Sequence, residues 1–337
     1  MAILVIHGGA GGDGPWRGKT PLDPARIECM RKVLAQVGGE LASGQIDCLE
    51  AVTIAVEMLE DEPLFNAGKG SVIAANETVT MDASIMRGED KAAGAVVNVK
   101  QIRHPIRAAN MILKQGWPVM LNSESADDFA LRNGVEEVSQ EWLKTDLRIG
   151  QWKKWKHSQL AIGSTDEEDA VLDHDLDGRV ATEFSDEGMG TVGAVALDND
   201  GRIAAATSTG GMTGKPDGRI GDTPIIGAGT WADDLVGISC TGVGEAFIRT
   251  CAARVVAKDV ENGEKISDAA EDILSAVAPL GGRGGLIAVT KAGELVMPFQ
   301  TRLMYRGYWK DGEVKVAIGP DFEAVSYTHL RAHETSE

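Results

Sequence analysis

A threonine that opens an apolar strand directly after a glycine has a particular chemical use. In this chain that residue is Thr191, in Gly190-Thr191-Val192-Gly193, where a polar, acidic stretch gives way to the β-branched run TVGAVALD. A threonine hydroxyl is a weak nucleophile unless a base sits beside it, and one such base is the chain's own α-amino group. That amine titrates at roughly 7.7–8.0, close to neutral pH. It exists at Thr191 only if the peptide bond after Gly190 is broken. Gly190, lacking a Cβ, suits the strained backbone that such a self-cleavage needs. Three downstream motifs also pair a hydroxyl or charge with glycines that let backbone approach a ligand. They are Ser208-Thr209-Gly210-Gly211, Gly218-Arg219-Ile220-Gly221-Asp222 and Cys240-Thr241-Gly242-Val243-Gly244-Glu245. Core packing accounts for the Val and Ala of these strands. It does not account for three Thr–Gly junctions, or for an Arg three residues before an Asp in a glycine loop.

Other chemistries fail on spacing. GAGGDG at Gly9–Gly14 satisfies G-x-G-x-x-G, but Pro15, Pro21 and Pro24 follow where a helix would have to open on a pyrophosphate. Asp173, Asp175, Asp177 and Gly178 spell the start of a calcium loop, yet its twelfth position is Phe184 instead of a bidentate carboxylate. Lys69 in GKG and Lys215 in GKP lack the hydroxyl residue and upstream glycine of a phosphate loop. His329 and His333 stand four apart, but in a polar stretch without periodicity that reads as a tail. Composition removes whole classes. Thirty-three Lys and Arg against 51 Asp and Glu leave a formal charge of −18, the wrong sign for nucleic acid or an anionic membrane as partner. No apolar run approaches the roughly eighteen residues of a membrane span, and Met1–Ile6 lacks the basic start of a signal peptide. Cys29, Cys48, Cys240 and Cys251 show no metal spacing and read as small buried hydrophobes, so a reducing cytoplasmic setting is expected.

The elements that must position these residues follow from periodicity. Met1–Ile6 reads as a first strand, followed by a glycine-rich turn at His7–Gly14. Helical spacing runs over Pro24–Leu41 and, with Asp47 as N-cap, to Leu59. Short strands are expected at Ser71–Ala75, Val79–Met86 and Ala93–Val99, and helices at Pro105–Lys114, Ala126–Arg132 and Ser139–Trp155. Residues 157–190 read as a solvated acidic linker. Beyond it the run from Thr191 and Ile203–Ser208 form a hairpin about Asp198–Gly201. Helices at Gly244–Val260 and Ser267–Ala278 precede a second hairpin, Gly285–Thr290 with Glu294–Phe299.

Taken together, these motifs resemble the plant-type L-asparaginase/isoaspartyl peptidase family of N-terminal-nucleophile hydrolases. The likeness runs from HGGAG at His7 through LFNAGKGS at Leu64 and MDASIM at Met81. It continues through GTVGAVALD, ATSTGGMTGK, GRIGD, CTGVGE and GRGGL at Gly282, covering about residues 1–318. The resemblance implies an α+β fold, a four-layer αββα sandwich. It implies a precursor that cuts itself into an α subunit, residues 1–190, and a β subunit, 191–320, leaving 321–337 as a disordered or non-native tail. The implied activity is hydrolysis of the side-chain amide of L-asparagine and of β-aspartyl (isoaspartyl) dipeptides through a β-aspartyl-threonine intermediate.

By motif, Thr191 would be the nucleophile, supported by Thr209, with Asn66 near it. Arg219 would clamp the substrate α-carboxylate and Asp222 would accept from its α-ammonium. Thr241 and the Gly242 N–H would form the oxyanion hole, and Gly244 joins the substrate-binding set. No cofactor is implied for catalysis. A structural sodium would be held by carbonyls of Leu59, Glu60, Glu62, Phe65, Ala67 and Lys69, and the particle would be an (αβ)2 heterotetramer. Two alternatives stay open. A glycosylasparaginase would share fold and nucleophile, but carries a DTIGM-like context where this chain has GTVGAV. A small-ligand or calcium-binding module would be built on the loop at Asp173.

Overall fold

The computed structural model describes residues 1–11, 23–162 and 190–320. Most of the acidic stretch, with the loop at Asp173, lies outside the described residues, as does the tail with His329 and His333. In chain order the elements are β1 (Ile3–Gly11), α1 (Pro24–Ser43), α2 (Cys48–Glu60), β2 (Met81–Arg87), β3 (Ala93–Val99), α3 (Pro105–Gln115) and β4 (Met120–Asn122). Next come α4 (Ser123–Arg132), α5 (Gln140–Leu143), α6 (Asp146–Ile162), β5 (Val192–Leu197), β6 (Ile203–Thr209), β7 (Thr230–Ala232) and β8 (Val236–Gly242). The chain continues through α7 (Gly244–Thr250), α8 (Ala252–Glu261), α9 (Ile266–Val277), β9 (Gly284–Thr290), β10 (Leu295–Val296), β11 (Leu303–Lys310) and β12 (Glu313–Ala317).

Among the described residues the strands form two sheets, ordered β12-β11-β1-β5-β6-β2-β3-β4 and β10-β9-β8-β7. All pairs are antiparallel except β3–β4. Side chains alternate along a strand, so each central strand feeds two cores. Leu4, Ile6, Ala194, Ala196, Ala204 and Ala206 pack with helices α1 to α3 on the outer face of the large sheet. Their neighbours Ile3, Val5, Val195, Leu197, Ile203 and Ala205 meet Ile287 and Val289 between the sheets. Val236, Ile238, Cys240, Leu286 and Ala288 point outward to α7, α8 and α9. The result is helix, sheet, sheet, helix: four layers. The sheets approach closely because small residues line their contact. A Cβ on Gly237 would stand 2.7 Å from both Ile203 Cγ2 and Val195 Cγ1.

Local chemistry explains where helices start and stop. Asp47 caps α2 by accepting from the Glu50 N–H at 2.9 Å, and Gly44 ends α1 with φ +77°. The β5–β6 hairpin turns at Gly201, φ +77°. Several expectations are corrected. β1 runs on to Gly11 through a bulge between His7 and Gly9, so the glycines at 8–11 are strand. Ser71–Ala75 is irregular, and the Ser139–Trp155 helix is two helices separated at Lys144 and Thr145. The Gly244–Val260 helix breaks at Cys251, whose φ is +50° and whose side chain is exposed, unlike the buried role expected for it.

Candidate active site

The antiparallel β5–β6 pairing places Val192 opposite Ser208, so the residues just beyond, Thr191 and Thr209, stand side by side at one end of the large sheet. By alternation both face the gap between the sheets, as do Ser239 and Thr241 of β8. One threonine from each of three strand ends therefore converges. The Thr191 hydroxyl donates to Thr209 Oγ1 at 3.0 Å. Thr209 Oγ1 also accepts from the Gly211 N–H at 2.9 Å, and these two bonds fix its orientation. Thr241 Oγ1 accepts from the Ala10 N–H at 3.3 Å, which leaves its own hydrogen free to donate elsewhere. Gly242 sits at φ +145°, with Gly284 Cα only 2.6 Å from where a Cβ would be, so only glycine fits there.

These residues line one pocket: Gly190, Thr191, Thr209, Thr241 and Gly242, with Arg219 and Asp222 facing them. Gly190 packs against β1, with the Ala10 carbonyl oxygen 3.5 Å from its Cβ position. The special backbone belongs to Gly9, φ +108°, where a Cβ would stand 2.5 Å from Gly190 N and 2.6 Å from its carbonyl carbon. The bulge in β1 is thus what lets Gly190 lie against β1.

Arg219 is occupied in this structure. Its Nε and Nη2 donate to the two carboxylate oxygens of Glu245, each at 2.8 Å, in the planar fork that suits a guanidinium. The Arg219 side chain is 12% exposed and that of Glu245 is 53%. Asp222 is buried, and burial pushes its carboxyl up to about 7 against the pull of Arg219 and of backbone N–H groups. Its Oδ2 has no hydrogen-bond partner among the described residues. Gly244 lies outside the pocket lining and packs on Asp222, whose Oδ1 would be 2.8 Å from a Cβ at that position.

Asn66 also stands behind the pocket. It donates to the Gly211 carbonyl at 2.8 Å and accepts from the Val72 N–H at 3.0 Å, while its own carbonyl accepts from Gly210 N–H at 3.1 Å. It braces the turn that presents Thr209. Glu60 turns its carboxylate inward to Ser208 Oγ, 2.6 Å, and Ile106 N, 3.1 Å. Burial holds that carboxyl well above the usual range.

Sequence reasoning missed three features. Glu245 lies 26 residues from Arg219, and no local pattern links the two. Ala10, Met212 and Thr223 join the lining from loops whose path the sequence does not reveal. A polar seam also runs between the sheets. His7 Nε2 shares a hydrogen bond with Ser239 Oγ at 2.9 Å, and Ser239 with Thr207 at 2.7 Å. Thr230 continues the seam to Ser84, which donates to the Thr223 carbonyl at 2.6 Å. Burial lowers the His7 imidazole to about 3, so it is neutral.

A family model described as "Asparaginase" matches residues 1–318. The chain belongs to this asparaginase family. It is 41% identical over 318 residues to the isoaspartyl peptidase of Escherichia coli K12, covering 93% of this chain and 94% of that one. It is 37% identical over 324 residues to the human isoaspartyl peptidase/L-asparaginase, covering 95% and 96%. It is also 37% identical to the plant-type L-asparaginase of Pyrococcus horikoshii over 314 residues, covering 93% and 97%. In this member of the asparaginase family the layers are those of an N-terminal-nucleophile hydrolase, with the threonine cluster at one end of the two sheets.

Proposed function

We propose that this asparaginase-family chain is a self-activating hydrolase of the L-asparagine side-chain amide and of β-aspartyl (isoaspartyl) dipeptides. The observation that carries the reading is the Thr191–Thr209 hydrogen bond of 3.0 Å inside a pocket that also holds a guanidinium and a buried carboxylate. In the precursor, Thr191 Oγ1 attacks the Gly190 carbonyl, and the peptide C–N bond breaks to free the Thr191 amine and leave an ester on Oγ1. Water hydrolyses that ester to release the Gly190 carboxylate and restore the hydroxyl. In the processed enzyme that amine takes the Oγ1 proton as Oγ1 attacks the β-carbonyl of the substrate. The oxyanion is met by the Thr241 hydroxyl and the Gly242 N–H. The amine returns the proton to the leaving nitrogen, so ammonia or an amino acid departs and a β-aspartyl ester remains on Thr191. Water, deprotonated by the same amine, hydrolyses that ester and releases aspartate. Arg219 and Asp222 hold the substrate's α-carboxylate and α-ammonium, which excludes plain amides lacking those charges.

The residues at the end of α2 fit a structural sodium bound through backbone oxygens, which hard cations prefer. The carbonyls of Glu60 and Phe65 crowd the Cβ positions of Gly68 and Gly70, so only glycines leave room for this turn. Leu59, Glu62, Ala67 and Lys69 would complete the set, and the ion takes no part in the chemistry. The processed pairs assemble as (αβ)2, which sedimentation of the mature protein checks. Among the described residues no helix is long and apolar enough to cross a membrane. The four cysteines are free thiols, which supports a cytoplasmic location.

Ammonia release from L-asparagine, and aspartate release from a β-aspartyl dipeptide, test the reading. Wild type should turn over both, and Thr191→Ala, which removes the attacking atom, should turn over neither. A Thr191→Ala variant as active as wild type would remove Thr191 from the mechanism.

A further inference from the structure

Behind the floor of the pocket lies a cation that none of the roles above uses. Lys215 is 1% exposed, and its ammonium donates to the Thr80 carbonyl at 3.0 Å. An ammonium is costly to bury unless hydrogen bonds or opposite charge offset its desolvation. Part of the offset is Asp82 on β2, which is 0% exposed and pairs with Thr209 across β2–β6. Asp82 Oδ1 accepts from the Asn98 N–H at 2.8 Å, and its Oδ2 has no hydrogen-bond partner among the described residues. Burial brings the Lys215 ammonium down to about 8. The charges of Asp82 and Asp217 oppose that fall and the charge of Arg219 adds to it, so all four groups share one field.

The position of the ammonium is what matters. Gly211, φ +83°, lines the pocket, and a Cβ there would stand 3.0 Å from Lys215 Cδ, 3.1 Å from Lys215 Nζ and 3.5 Å from Arg219 Nη1. A single glycine backbone therefore separates the ammonium from the pocket, and the guanidinium flanks the same point. In a water-excluded interior a charge acts across several ångströms without contact, and salt screens it far less than a surface charge.

We propose that Lys215 is a specificity-determining residue: set behind Gly211 and beside Arg219, it supplies a second positive charge that favours substrates bearing an α-carboxylate. It acts through its field and touches no substrate atom. Asp82, the opposite charge in the same field, opposes it. The proposal rests on the function given above, because it assigns the carboxylate end of that same pocket. It also explains why a chain with net charge −18 places a fully buried lysine at this point.

Lys215→Met keeps the length of the side chain and removes its charge. KM for L-asparagine should rise about tenfold, with kcat within about twofold of wild type. Self-cleavage should proceed at the wild-type rate, because the scissile peptide presents no carboxylate to this subsite. Asp82→Asn removes the opposing charge and should lower KM. A purely structural defect cannot produce these opposite signs. Should Lys215→Met fail to fold, the Asp82→Asn/Lys215→Met double variant carries no isolated buried charge and should still show the raised KM. An unchanged KM in a folded Lys215→Met variant, or kcat and self-cleavage falling together at constant KM, overturns the proposal. Wild type that turns over neither asparagine nor a β-aspartyl dipeptide removes the proposed function as well, which separates the two failures.

Discussion

In the proposed function two carboxylates compete for Arg219, that of Glu245, which it holds here, and that of the substrate. Glu245 is half exposed, so its ion pair is of the weak kind, worth up to about 1 kcal/mol. Glu245→Gln should therefore lower KM about two- to fivefold with kcat unchanged. Arg219→Ala should raise KM at least about tenfold, because the substrate carboxylate then loses its charged partner in a desolvated site. Steady-state kinetics on the two variants check both signs, and a shared direction would contradict the competition. Asp222 sets a pH limit. With its carboxyl raised to about 7 by burial, it is increasingly protonated below that pH and loses the negative charge that holds the substrate ammonium. kcat/KM should fall about tenfold per pH unit on the acid side of 7, and Asp222→Asn should flatten that limb. The same shift has the opposite sign for stability. A carboxyl whose folded pKa is raised stabilises the fold at low pH, and that contribution is lost as pH rises through about 7.

At the scale of elements, the site depends on how closely the sheets approach behind Thr191. Gly193 lies on β5 two residues after Thr191, and a Cβ there would collide with Ser239 Oγ and His7 Nε2. Gly193→Ala should destabilise the fold by about 1–3 kcal/mol, as overpacking does, and calorimetry should show a lower unfolding midpoint. An unchanged midpoint would mean that the sheets can separate at little cost. Much of this frame was legible beforehand. The alternation of TVGAVALD, the turn at Asp198–Gly201 and the cap at Asp47 are local signals, and β5, β6 and α2 fall where those signals put them. The convergence of Thr191, Thr209 and Thr241 was legible only through motifs, because three strand ends meet by tertiary pairing. Elements were missed where the signal is weak or shared. β11 lacks clean alternation and hides the hairpin that Asp311-Gly312 and the alternating residues 313–316 spell, and the break at Cys251 interrupts a pattern that is helical on both sides. The Arg219–Glu245 pair, the seam from His7 and the lysine behind Gly211 depend on side-chain proximity across the fold, for which spacing along the chain carries no signal.

At the scale of the whole molecule, the account rests on one covalent event. The bulge of β1 brings Gly9 against Gly190, Thr209 accepts from the Thr191 hydroxyl, and Thr241 Oγ1 stands 3.6 Å from the Cβ position of Gly190. The groups proposed to serve substrate turnover thus surround the peptide bond proposed to be cut first. An intact chain carries an amide at Thr191 N, and an amide nitrogen cannot act as the base. The most direct test is the intact mass of purified, active protein, with N-terminal sequencing of its smaller fragment. The account predicts two chains, residues 1–190 and 191–337, the second beginning Thr-Val-Gly-Ala. A single uncut chain that hydrolyses asparagine would contradict it.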